Sequence, residues 1–460
     1  MRFSQLEGAR IGVWGAGREI VSFADQLARR LPSARIAAAA FDAAPAANVR
    51  EILKAPAARI VTAGDDDVVA AFAACEIMVR SPGVSIHRPE LEALREMGVA
   101  VTTATALWLA EHGGAGVVGV TGTKGKSTTA ALIAHLARAA GRSAEFAGNI
   151  GVPALDLLDR EPAEVTVVEL SSYHTADLEV GPEVALVTNL FKEHTDWHGS
   201  EEAYRSEKLR VLTLPGVLVG VINGRDERLV AALAGGADAD RAQVLSGSIE
   251  TRRFGVPGGW DVVDGAICRD GGQLVPSSEL PLQGEHNALN LCAALTAVAA
   301  LGIEVPRLPE ALHDFHSLPH RLETVAERDG LLWVDDSIST TPESTLAALA
   351  SFPGRDVVLI GGGQDRGQDY TELGRALAAA GATVIGVPST GARLTAGARD
   401  AGLPAGQTID APDLRAAVAA AHRAGRPGAV VLLSPAAPSY DHYRDFEARG
   451  ELFREIVVSL

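Results

Sequence analysis

Short apolar runs alternate along this chain with longer stretches whose apolar residues recur at helical spacing, a pattern that predicts parallel sheets covered by helices. Arg10 to Trp14, Ile36 to Phe41 (ending at Asp42) and Ile77-Met78-Val79 read as strands of a first unit. Val117, Val118 and Val120 begin a second, followed by a helix over Ala130 to Ala140. Val165 to Leu170, Val184 to Asn189 and Val217 to Ile222 then read as buried parallel strands. The stretch from 235 to 283 is richer in Gly, Asp and short alternations, which predicts an antiparallel edge. Gly284-Glu285-His286-Asn287 caps an alanine-rich helix from Ala288 to Leu301, and Pro306, Pro309 and Pro319 punctuate the next boundary. Strands at Leu331 to Val334, Val357 to Ile360, Thr383 to Val387 and Ala429 to Leu433 make a third series. No repeat of solenoid period is present. The fold class is α/β, with three domains expected at 1-107, 108-317 and 318-460.

Composition narrows the function classes. A chain of 460 residues holds about three domains at ~150 residues each. No apolar run reaches the ~18 residues that cross a bilayer, and Met1 to Ile20 opens on a short strand instead of a signal sequence, so a cytoplasmic protein without membrane contact is expected. Cys75, Cys268 and Cys292 are scattered, with no C-x-x-C pair to suggest a disulfide framework or a zinc knuckle. The formal charge of -17 weighs against a nucleic-acid partner, which needs a basic face to release counterions. A small phosphorylated substrate remains open, since a few cations and helix N-termini can hold it. Only five of the 41 basic residues are lysine, and Lys124, Lys126, Lys192 and Lys208 lie within one segment. Chance clustering is one reading; the other is a site that uses an amine able to change its protonation state, as arginine cannot.

Residues 119-129, Gly-Val-Thr-Gly-Thr-Lys-Gly-Lys-Ser-Thr-Thr, stand between a strand and a helix, where backbone N–H groups converge on phosphate oxygens. The pattern G-x-x-x-x-G-K-[ST] would begin at Val120, with Gly119 one place earlier. This variant phosphate loop predicts a P-loop ATPase-type parallel sheet for the central domain and the use of ATP or GTP. Lys126 would meet the β- and γ-phosphates and Ser127 a Mg2+ ion. Glu169, ending a strand, could reach the same metal. His194, Asp196 and His198 alternate in a loop past the next strand; zinc and a solvated polar loop are both open there, but a neighbouring nucleotide favours oxygen-preferring Mg2+.

The turn Gly15-Ala16-Gly17-Arg18-Glu19-Ile20 resembles a dinucleotide fingerprint with Ile20 replacing the third glycine, which makes the first domain Rossmann-like. Ser81-Pro82-Gly83 is a second candidate anion turn, and a phosphate-bearing ligand could be shared between the two. In the C-terminal domain, also Rossmann-like, Pro319-His320-Arg321, Asp335-Asp336-Ser337 and the run Gly361 to Gly367 could bring an arginine and a carboxylate over the nucleotide on closure, or serve as surface salt-bridge residues.

Gly-Thr-Lys-Gly-Lys-Ser-Thr at 122-128, Gly148-Asn149-Ile150-Gly151, Glu169-Leu170-Ser171-Ser172, Glu193-His194-Thr195-Asp196, Tyr204 to Lys208, His286-Asn287-Ala288-Leu289-Asn290, Pro319-His320-Arg321 and Leu433-Ser434-Pro435-Ala436 together resemble the Mur ligases of peptidoglycan synthesis, in family order over essentially the whole chain. The chain is most similar to the members that add glutamate to UDP-N-acetylmuramoyl-L-alanine. The resemblance implies an ATP-driven ligase: the γ-phosphoryl group passes to the substrate carboxylate, and the glutamate amine attacks the acyl phosphate. It implies catalytic roles for Lys126, His194 and Lys208 and two Mg2+ ions, one on Ser127 and Glu169, the other involving His194 and Lys208. In the family that lysine is carbamylated, which turns a cation into a carboxylate ligand. Gly122, Thr123, Lys124, Gly125, Lys126, Ser127, Thr128, Asn287, Asn290, Arg321 and Asp336 match ATP contacts, although Lys124 has no role of its own. Gly15, Gly17, Ser81, Pro82, Gly83, Asn149 and Ser171 match the UDP-substrate side, and Thr340, Arg366, Ser439, Tyr440 and Phe446 the glutamate side. The partners implied are small molecules, and a monomer is expected.

The departures from the family concern the amino acid. Where the D-glutamate-adding members read Asp-Ser-Lys-x-Thr-Asn, this chain has Asp336-Ser337-Ile338-Ser339-Thr340-Thr341, so a cation beside the amino-acid site is gone. Their Ser-Ser-Phe-Gln becomes Ser171-Ser172-Tyr173-His174, and the Leu of Ser-Leu-Asp becomes Tyr440. Ile338 in place of an ammonium should re-aim the α-carboxylate of the incoming amino acid. The altered run, with Glu193 to Gly199, is similar to the subfamily that adds L-glutamate. L-glutamate is therefore expected, with D-glutamate as the alternative. A nucleotide-dependent sensor that binds UDP-sugars without ligating them would leave His194, Lys208 and Arg321 without a shared task. A folate-polyglutamylating enzyme would have no use for the N-terminal unit with Ser81-Pro82-Gly83.

Overall fold

The computed structural model describes residues 1–41, 59–62, 68–149, 151–191, 200–234, 249–281, 284–315, 319–365 and 367–460. The chain divides into two compact units, Met1–Phe315 and His316–Leu460.

Two parallel sheets build the first unit. In one, β1 (Arg10–Trp14), β2 (Arg35–Phe41), β3 (Arg59–Thr62), β4 (Ile77–Arg80) and β5 (Ala100–Thr102) run in the order β3-β2-β1-β4-β5. The chain winds outward in both directions from the β1/β4 pair, the position at which doubly wound sheets open a ligand crevice beyond their strand ends. The other sheet comprises β6 (Val117–Thr121), β7 (Ala144–Gly148), β8 (Val165–Glu169), β9 (Val184–Val187), β10 (Val219–Asn223) and β11 (Glu250–Phe254), in the order β11-β10-β9-β6-β8-β7. Every residue of β6, β8, β9 and β10 is buried, as their valine-rich runs require of strands covered by helices on both faces. The helix Ala104–His112, in which residue 107 falls, leads from one sheet to the other, and its Trp108 is buried in a core reaching from Ile11 and Val13 to Val117 and Ala185.

The 235–283 segment differs from its expectation in one respect. β11 joins the central sheet in parallel, in register with β10 from Val219↔Glu250 to Asn223↔Phe254. The antiparallel part is a separate three-stranded sheet of β12 (Trp260–Val263), β13 (Ala266–Arg269) and β14 (Gly272–Pro276). Both of its hairpins turn on an Asp-Gly pair with positive φ at each residue, 49° and 73° at Asp264-Gly265 and 51° and 82° at Asp270-Gly271. Such turns match the right-handed twist of paired strands, and Asp-Gly tolerates them.

In the second unit β15 (Glu323–Arg328), β16 (Leu331–Asp335), β17 (Val357–Gly361), β18 (Thr383–Gly386), β19 (Thr408–Asp410) and β20 (Val430–Leu433) form a sheet ordered β15-β16-β20-β17-β18-β19, parallel except for β15. The two edge strands, β15 and β19, are polar or short and escape an apolar-run reading.

Candidate active site

The loop leaving β6 is shaped by its glycines and its neighbours. Gly122 has φ 138° and Gly125 has φ 80°, conformations that L side chains rarely adopt. A Cβ at Gly122 would run into Thr188 Oγ1, and one at Gly125 into the side-chain amide of Asn290. Gly125 caps the helix Lys126–Ala139, so the helix N-terminus opens toward the loop. Asn189, just past β9, braces the outer side. Its Oδ1 accepts from the backbone N of Lys124 at 2.7 Å and of Thr123 at 3.2 Å, and its Nδ2 donates to the Lys124 carbonyl at 3.0 Å. Thr188 Oγ1 donates to the same carbonyl at 2.7 Å.

Two of the lysines singled out in the sequence reach this loop. Lys126 Nζ donates to Thr123 O at 2.9 Å, and the buried Lys208 Nζ donates to Gly122 O at 2.8 Å. Lys208 comes from the helix Glu201–Leu209 and lies 4.8 Å from the ring centre of Tyr204, whose hydroxyl is 2.9 Å from Thr123 Oγ1. One helix therefore supplies both the amine and the phenol that hold the loop.

Glu169 ends β8 beside this loop and is 1% exposed. Its Oε1 accepts from Asn149 Nδ2 at 2.9 Å, while its buried Oε2 has no hydrogen-bond partner among the described residues. A buried carboxylate oxygen left bare is costly unless a ligand satisfies it, and a hard divalent cation would do so. Ser127, on the first helical turn of the loop, is likewise buried. These oxygens fit a magnesium-type ion. Lys192, His194, Asp196 and His198 lie outside the described residues, as does Arg366.

A cavity of about 580 Å³ opens beside the loop, lined by Lys124, Gly125 and Asn290 on one side and by Phe254, His286 and Leu289 on another. Burial lowers the pKa of His286, so the ring stays neutral against an apolar ligand face. The apolar wall suits a planar base, and its polar rim suits sugar and phosphate. The sequence reading left several of its residues without a role. Asn223, ending β10, donates to the Thr188 carbonyl at 3.0 Å, and Asp226 accepts from the backbone of Leu190 at 2.7 Å. Their signal was position: a polar residue at or just beyond the carboxyl end of a buried strand. Asn287 accepts through Oδ1 from Asn290 Nδ2 at 3.2 Å on the first turns of the helix Glu285–Ala300, and Thr128 lies in the helix behind the loop.

The first sheet carries the other predicted turns. Gly15 and Ser81 leave the adjacent ends of β1 and β4. Gly15 has φ 104°, and a Cβ on it would meet the Ser81 side chain; one on Gly17 would lie 3.2 Å from Ser81 Oγ. The two turns are thus one structure, as a shared ligand requires. Arg80 stiffens the Ser81-Pro82-Gly83 turn by donating to the carbonyls of Pro82 at 3.1 Å and Val84 at 2.6 Å, and its guanidinium pairs with the buried Asp177. Arg18 Nη2 donates to Asn149 O at 3.0 Å, linking the first helix to the loop that also holds Glu169.

Within the second unit, Asp336 is buried at the end of β16. Its Oδ1 accepts from Leu322 N at 3.2 Å and its Oδ2 from Ser434 Oγ at 2.8 Å, yet burial pushes its carboxyl up to about 6. His320 lies 2.7 Å from Asp335, next to the partly exposed Arg321. Burial alone would lower the pKa of His320, but the Asp335 partner carries it above the usual imidazole value. Ser337 Oγ accepts from Arg449 Nε at 2.9 Å. Ser439 is buried with no partner for its hydroxyl among the described residues, Tyr440 is exposed, and Phe446 begins the last helix. Thr340 is partly exposed just before the cap of the helix Pro342–Leu349.

Comparison with known proteins gives this geometry a family. Residues 120–298 match the Mur ligase middle domain and residues 320–437 the glutamate ligase domain of Mur ligases. The chain belongs to the Mur ligase family. Among relatives of this Mur ligase, the UDP-N-acetylmuramoyl-L-alanine--L-glutamate ligase of a Micromonospora species is 44% identical, over 99% of this chain and 98% of the relative. The enzyme of the same name from Salinispora tropica is 43% identical over 99% of each chain. Among solved structures, a MurF ligase from Thermotoga maritima in complex with ADP shares the fold at a TM-score of 0.55 and 19% identity, covering 99% of this chain and 97% of that one. This Mur ligase is accordingly an ATP-dependent ligase with an α/β fold. Among the described residues, no helix is long and apolar enough to cross a membrane.

Proposed function

We propose that this Mur ligase joins L-glutamate to UDP-N-acetylmuramoyl-L-alanine at the expense of ATP, a step in making the peptidoglycan precursor. The observation that carries the reading is the loop with Lys126 and Lys208 at its carbonyls beside the half-satisfied Glu169. The relatives' names support the choice of substrate and of L-glutamate at 43 and 44% identity over the full chain.

A terminal oxygen of the substrate carboxylate attacks the γ-phosphorus and ADP leaves. The amine of glutamate then attacks the acyl carbon of the acyl phosphate, loses a proton, and expels inorganic phosphate. Lys126 and the helix N-terminus behind the loop bind the phosphates and offset negative charge where two anions meet. Mg2+ would be held by Ser127 and Glu169, with a second ion involving His194 and a carbamylated Lys208, and when bound it supplies charge neutralisation of the phosphates. Carbamylation would add carbon dioxide at Lys208 Nζ, which is buried against the phosphate loop.

In this reading, residues 1-107 bind the UDP-substrate, 108-317 bind ATP and 318-460 bind the amino acid. Arg321 and Asp336 would reach the ATP, while Thr340, Arg366, Ser439, Tyr440 and Phe446 would surround the glutamate. The protein acts as a cytoplasmic monomer on small molecules. The test is an assay of purified protein with ATP, Mg2+, UDP-N-acetylmuramoyl-L-alanine and glutamate, following ADP and the amide product. ATP hydrolysis without an amide would instead favour a sensor.

A further inference from the structure

Glu19, on the first turn of the helix Arg18–Arg30, and His174, on the short helix Ser172–Thr175, are buried against each other and have no part in the phosphate or metal contacts above. His174 Nε2 lies 2.6 Å from Glu19 Oε1, which also accepts from Thr105 Oγ1 at 2.9 Å. On its other side the ring places Nδ1 2.6 Å from Ser171 Oγ and 3.2 Å from the Ser171 backbone nitrogen. A backbone N–H can only donate, so Nδ1 is the bare nitrogen and the ring proton sits on Nε2, directed at Glu19.

The Ser171 hydroxyl consequently gives its single proton to Nδ1. One lone pair of Oγ faces the His174 backbone N–H in the capping box that starts the short helix, so this partly exposed serine offers its other lone pair, and no donor, to a ligand above it. Phosphates and carboxylates carry no donor at neutral pH and gain nothing there. Ser171 follows Glu169, the last residue of β8, by two positions, and in the ligase reading the reacting carboxylate comes to that strand end. The nearest uncharged donor on the substrate is the alanyl amide N–H, two bonds from that carboxylate carbon.

We infer that Glu19 and His174 are positioning residues that present Ser171 Oγ as the acceptor for the alanyl amide N–H of the UDP-linked substrate. The inference rests on the ligase reading above and adds to it a relay that selects an amide over an ester. It is tested by calorimetric binding of UDP-N-acetylmuramoyl-L-alanine and of the analogue whose alanyl N–H is replaced by oxygen. Wild type should prefer the amide by roughly tenfold, the scale of one neutral hydrogen bond together with the acceptor repulsion that replaces it. Ser171→Ala and His174→Leu should bind both ligands equally, with the KM for ATP unchanged. His174→Asn, whose Oδ1 can stand where Nδ1 was, should keep the preference. Glu19→Gln, which frees the ring to adopt the other tautomer, should weaken it.

The preference is a ratio measured on one protein, so a smaller folded fraction does not imitate its loss. If His174→Leu does not fold, Ser171→Ala carries the test alone. Equal affinity for the two ligands in wild type, or a preference that survives in Ser171→Ala, overturns the inference and leaves the ligase reading intact. Binding of neither ligand by wild type overturns the ligase reading and this inference with it.

Discussion

Lys208 Nζ donates to the carbonyl of Gly122 at 2.8 Å, joining a helix 86 positions downstream to the phosphate loop. A buried lysine in that place holds the loop as an amine and, once carbamylated, would hold a metal as a carboxylate. Lys208→Ala should lower turnover by roughly 10²-fold or more and regain part of it with added acetate or formate. Steady-state rates with and without the carboxylate check this; near-normal turnover in the variant would remove Lys208 from the mechanism.

Glu169 keeps one oxygen on Asn149 and leaves the other bare. Glu169→Gln preserves the shape and an acceptor for Asn149 but halves what a cation can bind. The Mg2+ concentration for half-maximal activity should rise by roughly tenfold, with little change in thermal stability. A Mg2+ titration that matches wild type would show that Glu169 is not a ligand.

Gly125 and Gly98 separate backbone strain from collision. Both have positive φ, 80° and 86°, but a Cβ at Gly125 meets the Asn290 amide whereas one at Gly98 meets nothing within 4 Å. Gly98→Ala should cost about 1 kcal/mol and leave the KM for ATP alone. Gly125→Ala should cost more and raise that KM at least severalfold. Denaturant unfolding and ATP titration on the two variants decide; equal effects on ATP would deny the loop its special geometry.

Asp336 predicts a pH effect of definite sign. Burial lifts its pKa from 3.8 to about 6. A carboxyl raised by folding adds stability below its unfolded pKa, and that contribution is lost as the pH rises through the folded value, here between about 4 and 6. Asp336→Asn should therefore stabilise the protein at pH 8 by about 1–3 kcal/mol and lose that advantage by pH 4. Melting curves at the two pH values test it, and a variant less stable at pH 8 contradicts the assignment.

Much of this was legible in the sequence because buried parallel strands must be apolar throughout, so β6, β8, β9 and β10 stand out as valine-rich runs with chemistry at their ends. Glu169, Lys126 and Ser127 could be found that way. β15 and β19 could not, since a polar edge strand and a three-residue strand carry no such run. β11 was hidden for a related reason: Glu250 to Arg253 are partly or fully exposed and only Phe254 is buried. The pairings of Asn189 with the loop and of Glu19 with His174 join residues 65 and 155 positions apart, and no local pattern announces a partner at that distance. Ser171-Ser172-Tyr173-His174 was visible as a departure from the family, but its purpose needed Glu19 beside it.

The most direct test offers purified protein ATP, Mg2+ and UDP-N-acetylmuramoyl-L-alanine with L-glutamate or D-glutamate in separate reactions, and measures kcat/KM for the amide product. L-glutamate should be preferred by at least roughly 10²-fold, the discrimination expected when one charged group of the amino acid is misplaced. A preference for D-glutamate, or ADP released with no amide formed from either, would contradict the account.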